Sequence, residues 1–343
     1  MKKINLLATF MCIASGIWAQ ERENYAPAIN GTLRGKYEYQ TKENEGRFQV
    51  RTARVSVHGN VTPKVEYKAE IDLCDKGVIK MLDAYTRLQP WQYFDFTIGQ
   101  MRVPFTIDAH RSPHQQYFAN RSFIAKQVGN VRDVGAMVGY DVHVGFPIRL
   151  QAGIFNGSGL THQRDFWTKG INYSAKAQFF FPFNIDLTAS VQKIVPDHFT
   201  VVMYDVGLTG HYRNFLAEVE YLYKTYEHDA YKDVHAVDAF VNYDIPVKNR
   251  KSFIRKVSPL LRYDFMTDHS DGRRYLDGAL NQTGKLVTND YQRHRLTGGV
   301  TLSLGTPFVS DIRINYEKYF YRHDGIPKTS ERDKIVVEFM THF

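Results

Sequence analysis

Between positions 64 and 73 every second residue is charged: Lys64, Glu66, Lys68, Glu70 and Asp72. The residues between them are Val65, Tyr67, Ala69, Ile71 and Leu73. An extended chain points successive side chains to opposite faces, so this stretch has one charged face and one apolar face. A strand of a soluble sandwich seldom keeps that separation over five pairs. A strand in the wall of a wide membrane barrel does, with its apolar face to lipid and its charged face to a water-filled lumen. The alternation recurs at 29–39, where Ile29, Leu33, Tyr37 and Tyr39 oppose Asn30, Thr32, Arg34, Lys36 and Glu38. It recurs again at 185–191 and 312–317, and helical periodicity is almost absent.

The mean hydropathy of −0.40 is too polar for a bundle of membrane helices. An aromatic content of 14% is too high for a disordered chain, and two cysteines cannot make a disulfide scaffold. The N-terminus predicts export. Lys2 and Lys3 precede an apolar stretch from Ile4 to Ile17, and Ala19 precedes Gln20, Glu21 and Arg22. That is the pattern of a secretory signal peptide over residues 1–19. Cleavage there leaves 324 of the 343 residues as one barrel domain, residues 20–343. It also lowers the formal charge from +8 to +6, because the leader holds two lysines and no acid. Cys12 leaves with it, so the mature chain keeps Cys74 alone.

Sixteen strands are expected, at about 28–40, 47–61, 63–73, 80–89, 92–102, 133–144, 147–156, 169–181, 183–194, 201–213, 214–225, 233–246, 254–267, 289–304, 308–320 and 333–343. Short connections follow even-numbered strands and long ones follow odd-numbered strands. Short periplasmic turns and long external loops are the asymmetry of outer-membrane barrels. The fold class is therefore all-β, a 16-stranded antiparallel transmembrane barrel in the outer membrane of a Gram-negative bacterium. Aromatics gather near strand ends, among them Trp91, Tyr93, Phe179 to Phe183 and Tyr316 to Tyr321, where amphipathic rings meet lipid headgroups. The chain ends in Phe343, preceded by Ile335, Val337 and Phe339 at alternate positions, which resembles the assembly signal of such barrels.

Several stretches resemble the phosphate- and polyphosphate-selective porins, the porin O/P family. They are FQVRTARVSVHGNVTPKVEYKAEIDL (48–73), LDAYTRL (82–88), FTIGQMRVPF (96–105), NRSF (120–123), VRDVGAMVGY (131–140), GIFNGSG (153–159) and PLLRYDF (259–265). The stretch 96–105 is the most specific. The resemblance implies a homotrimeric, 16-stranded channel whose third loop folds inward, with arginines and lysines along the path of anions such as phosphate. The sequence departs from the family where an acidic–Arg pair is replaced by Asn120–Arg121.

The longest connection, 103–132, holds Arg111, Arg121, Lys126 and Arg132, with His110 and His114, against Asp108; Arg102 precedes it. Folded inward, it sets a positive constriction, since the planar fork of Arg suits oxyanions. The alternative is a solvated external loop whose arginines pair with acids of the barrel. On the walls, Arg34, Lys36, Arg54, Lys64, Lys68 and Arg262 point inward, but inward acids are about as numerous, so anion preference rests on the loop. A second basic cluster, Lys248 to Lys256, lies in the turn after strand twelve.

No catalytic, cofactor or metal site is expected. His110 and His114 lack further ligands, and Asn156-Gly157-Ser158-Gly159 is no nucleophile elbow. The basic residues alternate with acids, so no nucleic-acid surface is expected. The partners are membrane lipid, lipopolysaccharide and small anionic solutes. The expected function is passive diffusion of small hydrophilic solutes with a preference for anions. The alternatives are a non-selective general porin, a barrel hydrolase or an adhesin.

Overall fold

The computed structural model describes residues 25–75, 77–127, 131–160, 162–249, 251–279, 281–305, 309–322 and 329–343. The expected leader, residues 1–19, and Arg250 of the basic turn lie outside the described residues. Sixteen antiparallel strands form the barrel: β1 (Ala28–Gln40), β2 (Glu45–Thr62), β3 (Val65–Asp75), β4 (Val78–Trp91), β5 (Phe94–Arg102), β6 (Arg132–His143), β7 (Pro147–Phe155), β8 (Asn172–Phe181), β9 (Ile185–Ile194), β10 (Val201–Tyr212), β11 (Phe215–Tyr226), β12 (Val234–Tyr243), β13 (Ile254–Met266), β14 (Arg293–Leu304), β15 (Val309–Tyr321) and β16 (Lys334–His342). Ile245–Pro246 continues β12 along β13. Each strand pairs with its neighbours in sequence, and β1 pairs with β16 through registers such as Thr32↔His342 and Gly35↔Phe339. The sheet is therefore closed, with no free edge to template aggregation. No helix among the described residues is long and apolar enough to cross a membrane; the strands do the crossing.

The strand boundaries follow the alternation closely. The first strand falls at 28–40, as the period predicts. The largest shift is at β14, which begins at Arg293 and not near 289, because the preceding loop carries its own hairpin of Arg274–Leu276 and Gln282–Leu286. Lys64, expected on the third strand, lies in the turn before it. It is exposed there, and its Nζ donates to the Pro90 carbonyl at 3.1 Å. It belongs to the rim, since the hairpin must reverse at Pro63–Lys64.

The outer wall is apolar and open: Ile29, Leu33, Ile98, Ile154, Leu261 and Phe339 are all exposed. At Gly31 the reason for glycine is visible. An added Cβ would fall 2.3 Å from the ring of Phe343, which folds over it on the outer face. Backbone bonds run both ways between Gly31 and Phe343, at 2.7 and 3.0 Å, and close the seam.

The inner wall is not uniformly polar, which corrects the simple two-face reading. Toward the loop end, the inward positions of β10 to β13 carry Val201, Met203, Leu222, Val234, Ala236 and Met266, all fully buried. They join Val103, Phe105, Ala109, Phe123 and Ile124 of the third loop in one cluster. The barrel thus has a hydrophobic core inside its lumen, and that core holds the loop.

Candidate pore constriction

The third loop runs from Val103 to Val131 and turns into the barrel. Two one-turn 3-10 segments, Asp108–His110 and Pro113–Gln115, and a short helix, α1 (Phe123–Gln127), give it local shape. A loop away from bulk water needs partners for its backbone, and the wall supplies them. Ser174 Oγ and Lys176 Nζ of β8 donate to the carbonyls of Pro104 and Thr106 at 2.8 and 2.7 Å. The Thr106 amide donates to Ser190 Oγ of β9 at 3.1 Å. The Ala119 amide donates to Asn315 Oδ1 of β15 at 2.9 Å. Arg34, Arg262 and Arg295 donate to the carbonyls of Ala119, Asn120 and Arg121 at 2.8, 3.0 and 2.8 Å. Aromatic rings add a second hold. Phe123 lies between the guanidiniums of Arg293 and Arg295, at 4.5 and 4.6 Å, and Arg262 covers Phe118 at 4.2 Å.

The expected basic residues divide into two groups. Those in and around the loop are tied down. Arg111 makes a paired contact with Glu218 of β11, one arm at 2.8 Å, and lies over the Tyr117 ring at 5.2 Å. Arg121 donates to the carbonyls of Asp108 and, at 2.8 Å, Arg111. Arg102 donates to the His110 carbonyl and to Ser112 Oγ at 3.2 Å. Arg132 binds Asp83 at 2.6 Å and Glu70 at 3.3 Å. Lys126 alone of this group is exposed, on α1. The loop therefore unites the two readings of the sequence: it folds inward, and its arginines also pair with acids or backbone. The Asn120–Arg121 departure has a local reason. Asn120 Nδ2 donates to Glu317 at 2.8 Å while its Oδ1 accepts from Lys36 at 3.1 Å. A carboxylate there would face Glu317.

On the wall, Arg34 binds Glu338 at 2.9 Å and Lys36 binds Glu38 at 2.7 Å. Arg262 binds Asp264 at 2.9 Å, with Asp238 at 3.8 Å. All three bases are buried under the loop, as are the acids Glu218, Glu220, Asp238, Asp264, Glu317 and Glu338. The wall of β2 to β4 is different. Arg54 reaches Asp72 at 3.1 Å and Glu70 at 3.3 Å, and Lys68 reaches Asp83 at 2.7 Å. Here the bases are outermost: Arg54 and Lys68 keep 16% and 24% of their side-chain surface, against 1% and 3% for Asp72 and Asp83. Arg87 and Arg149 stand over Asp95 in the same way, and Gly139 leaves room for that contact, since a Cβ would meet Arg149 and Asp95. Glu66 and Asp75 are open acids, matched by Arg87 and by Arg51 and Lys80.

Lys80 and Arg149 were not among the inward bases read from the sequence. Lys80 escaped because a register shift at Glu70/Ile71 breaks the parity of β4. Arg149 alternates with Gln151 and Gly153, too weak a pattern to mark a face.

Electrostatics in the loop follow from these contacts. Burial works to raise the Asp108 carboxyl, but Arg121, Arg111 and Arg262 outweigh it and hold it below the ordinary carboxylate range. Burial opposes the charge of Arg111, yet Glu218 more than restores it. Burial, only partly offset by Asp108, pushes Arg121 down to about 10, so it stays charged at neutral pH. Among the described residues no group of three His, Cys, Asp or Glu side chains is arranged to hold a metal ion.

A closed sixteen-stranded barrel with a loop folded into it is the architecture of outer-membrane porins. The model of the family described as phosphate-selective porin O and P matches residues 31–186 of this chain. No curated protein matches the chain in sequence. Solved structures show the same fold at low identity. The OmpF of Salmonella typhi in complex with daunomycin is 12% identical with a TM-score of 0.61, covering 92% of this chain and 97% of its own. An anion-selective porin from Comamonas acidovorans is 10% identical with a TM-score of 0.60, covering 92% and 98%. The trimer form of OmpT, an outer membrane protein of Vibrio cholerae, is 11% identical with a TM-score of 0.57, covering 93% and 98%.

Proposed function

We propose that this porin is a passive diffusion channel with a modest preference for small anions, phosphate among them. The carrying observation is the layering of charge on β2 to β4, where Glu70, Asp72 and Asp83 lie against the wall and Arg54 and Lys68 stand over them. Equal numbers of charges do not cancel for a passing ion when one sign is nearer. At about 4 Å in water a unit charge is worth about 1 kcal/mol, and more in a narrow neck. The pairing of nearly every base keeps the preference modest. This moves the selective surface from the loop, where the sequence put it, to the wall facing the loop. The loop sets the width, and its own arginines serve to hold it in place.

On this reading the channel performs no chemistry; solutes move down their gradients. Residues 1–19 serve as a cleaved leader, the short turns face the periplasm, and the outer wall sits among lipid and lipopolysaccharide. The chain assembles as a homotrimer, by analogy with the trimer form of OmpT. Planar-bilayer recording in a potassium chloride gradient tests the function. Stepwise conductance with a reversal potential on the chloride side is expected. Absence of conductance steps overturns the channel reading, and a reversal potential on the potassium side overturns the anion preference.

A further inference from the structure

We propose that the vestibule beside the loop tip, at the turn end of the barrel, is an acid-activated subsite for divalent oxyanions, built on His58, His114 and His342. It rests on the anion-preferring reading above. The three imidazoles line one cavity of about 340 Å³. His342 ends β16, and its Nδ1 lies 2.9 Å from Thr32 Oγ1 of β1. His58 is on β2, with Nδ1 3.4 Å from Asn30 Nδ2. His114, in the loop tip, stacks on His342 with ring centroids 3.8 Å apart and planes 13° from parallel.

The fixed charges facing this cavity are already matched. Arg54 is held by Glu70 and Asp72, and Lys68 by Glu70 and Asp83. Glu66 is held by Arg87, and Arg313 by Glu338 and Asp311. Arg102 is bonded to the loop itself. Among the described residues no carboxylate forms an ion pair with any of the three rings. Each proton they take up therefore adds uncancelled positive charge. Neutral imidazoles offer an oxyanion one N–H each; imidazolium offers two, with charge assistance. The stacked pair resists double protonation, since like charges so close disfavour each other. Burial, then the His342 ring and the Arg102 guanidinium, push His114 down to about 4. His114 is thus neutral at neutral pH and gains its charge only in acid. The cavity has room for one tetrahedral oxyanion with some of its water.

Sulfate is the suitable probe, because it stays dianionic across the range. It is added to the turn side of single channels carrying chloride, at about pH 7.5, 6 and 4. In the native protein the concentration for half-block is expected to fall about tenfold from the highest pH to the lowest. In H58Q/H114Q/H342Q that fall disappears. Because His342 lies in the last strand, H58Q/H114Q serves if the triple variant does not assemble, and most of the fall disappears there too. A native block independent of pH overturns the proposal. So does an acid-enhanced block that persists in the variants, which assigns the effect to wall carboxylates. A potassium-side reversal potential at neutral pH with the histidine-dependent fall intact overturns the anion preference and leaves the subsite standing.

Discussion

Arg111 is the residue whose role the structure changes most. From the sequence it is either a charge lining a constriction or one paired with an unnamed acid of the barrel. In the barrel its guanidinium is matched by Glu218, a partner 107 positions away that no local pattern could have disclosed. Removing one member of a buried pair leaves the other uncompensated, at a cost of about 3–5 kcal/mol. Two substitutions should therefore move selectivity in opposite directions. Glu218→Gln frees the Arg111 charge and raises the chloride-to-potassium permeability ratio. Arg111→Ala bares Glu218 and lowers it. Equal ratios in both variants would show that this pair lies off the ion path. Arg54→Gln and Lys68→Gln should each lower the ratio about twofold, because their charges stand nearer the water than those of their partners. The inward direction of Arg54 and Lys68 was legible from period two alone. Which charge of a pair lies outermost was not, because it depends on side-chain length and on the strand opposite.

At the scale of elements, the strands were legible and the loop was not. Alternation marks a strand wherever one face meets lipid and the other water, and β1 falls where it predicts. Inside the loop, Val103, Phe105 and Phe123 have no period, so the sequence could not tell a solvated loop from a packed one. Their partners, Val201, Met203 and Leu222, sit on inward positions that the two-face rule assigns to polar residues. The seam between β1 and β16 has a sharper signature. Gly31→Val should displace the Phe343 ring and slow barrel closure, read as a larger unfolded fraction on cold gel electrophoresis. Phe343→Ala combined with Gly31→Val should be no worse than Phe343→Ala alone. If the two defects simply add, the ring does not depend on that glycine.

For the whole molecule, a wide closed barrel is narrowed by a loop that the inner wall grips through backbone bonds, an apolar cluster and stacked guanidiniums. Phe123→Ala removes the ring held between Arg293 and Arg295 and empties a buried site, at a cost of about 3–5 kcal/mol. The loop should loosen, giving larger or noisier single-channel steps with the barrel still folded. Unchanged steps would mean that other contacts fix the neck by themselves. The central claim is that Arg54 and Lys68 stand over Glu70, Asp72 and Asp83 on the open wall of β2 to β4 and bias the channel toward anions. The reversal potential of the native porin in a potassium chloride gradient at neutral pH tests it most directly. The charge layering predicts a value on the chloride side, smaller in R54Q/K68Q. A value on the potassium side, or one unmoved by that double substitution, would contradict it.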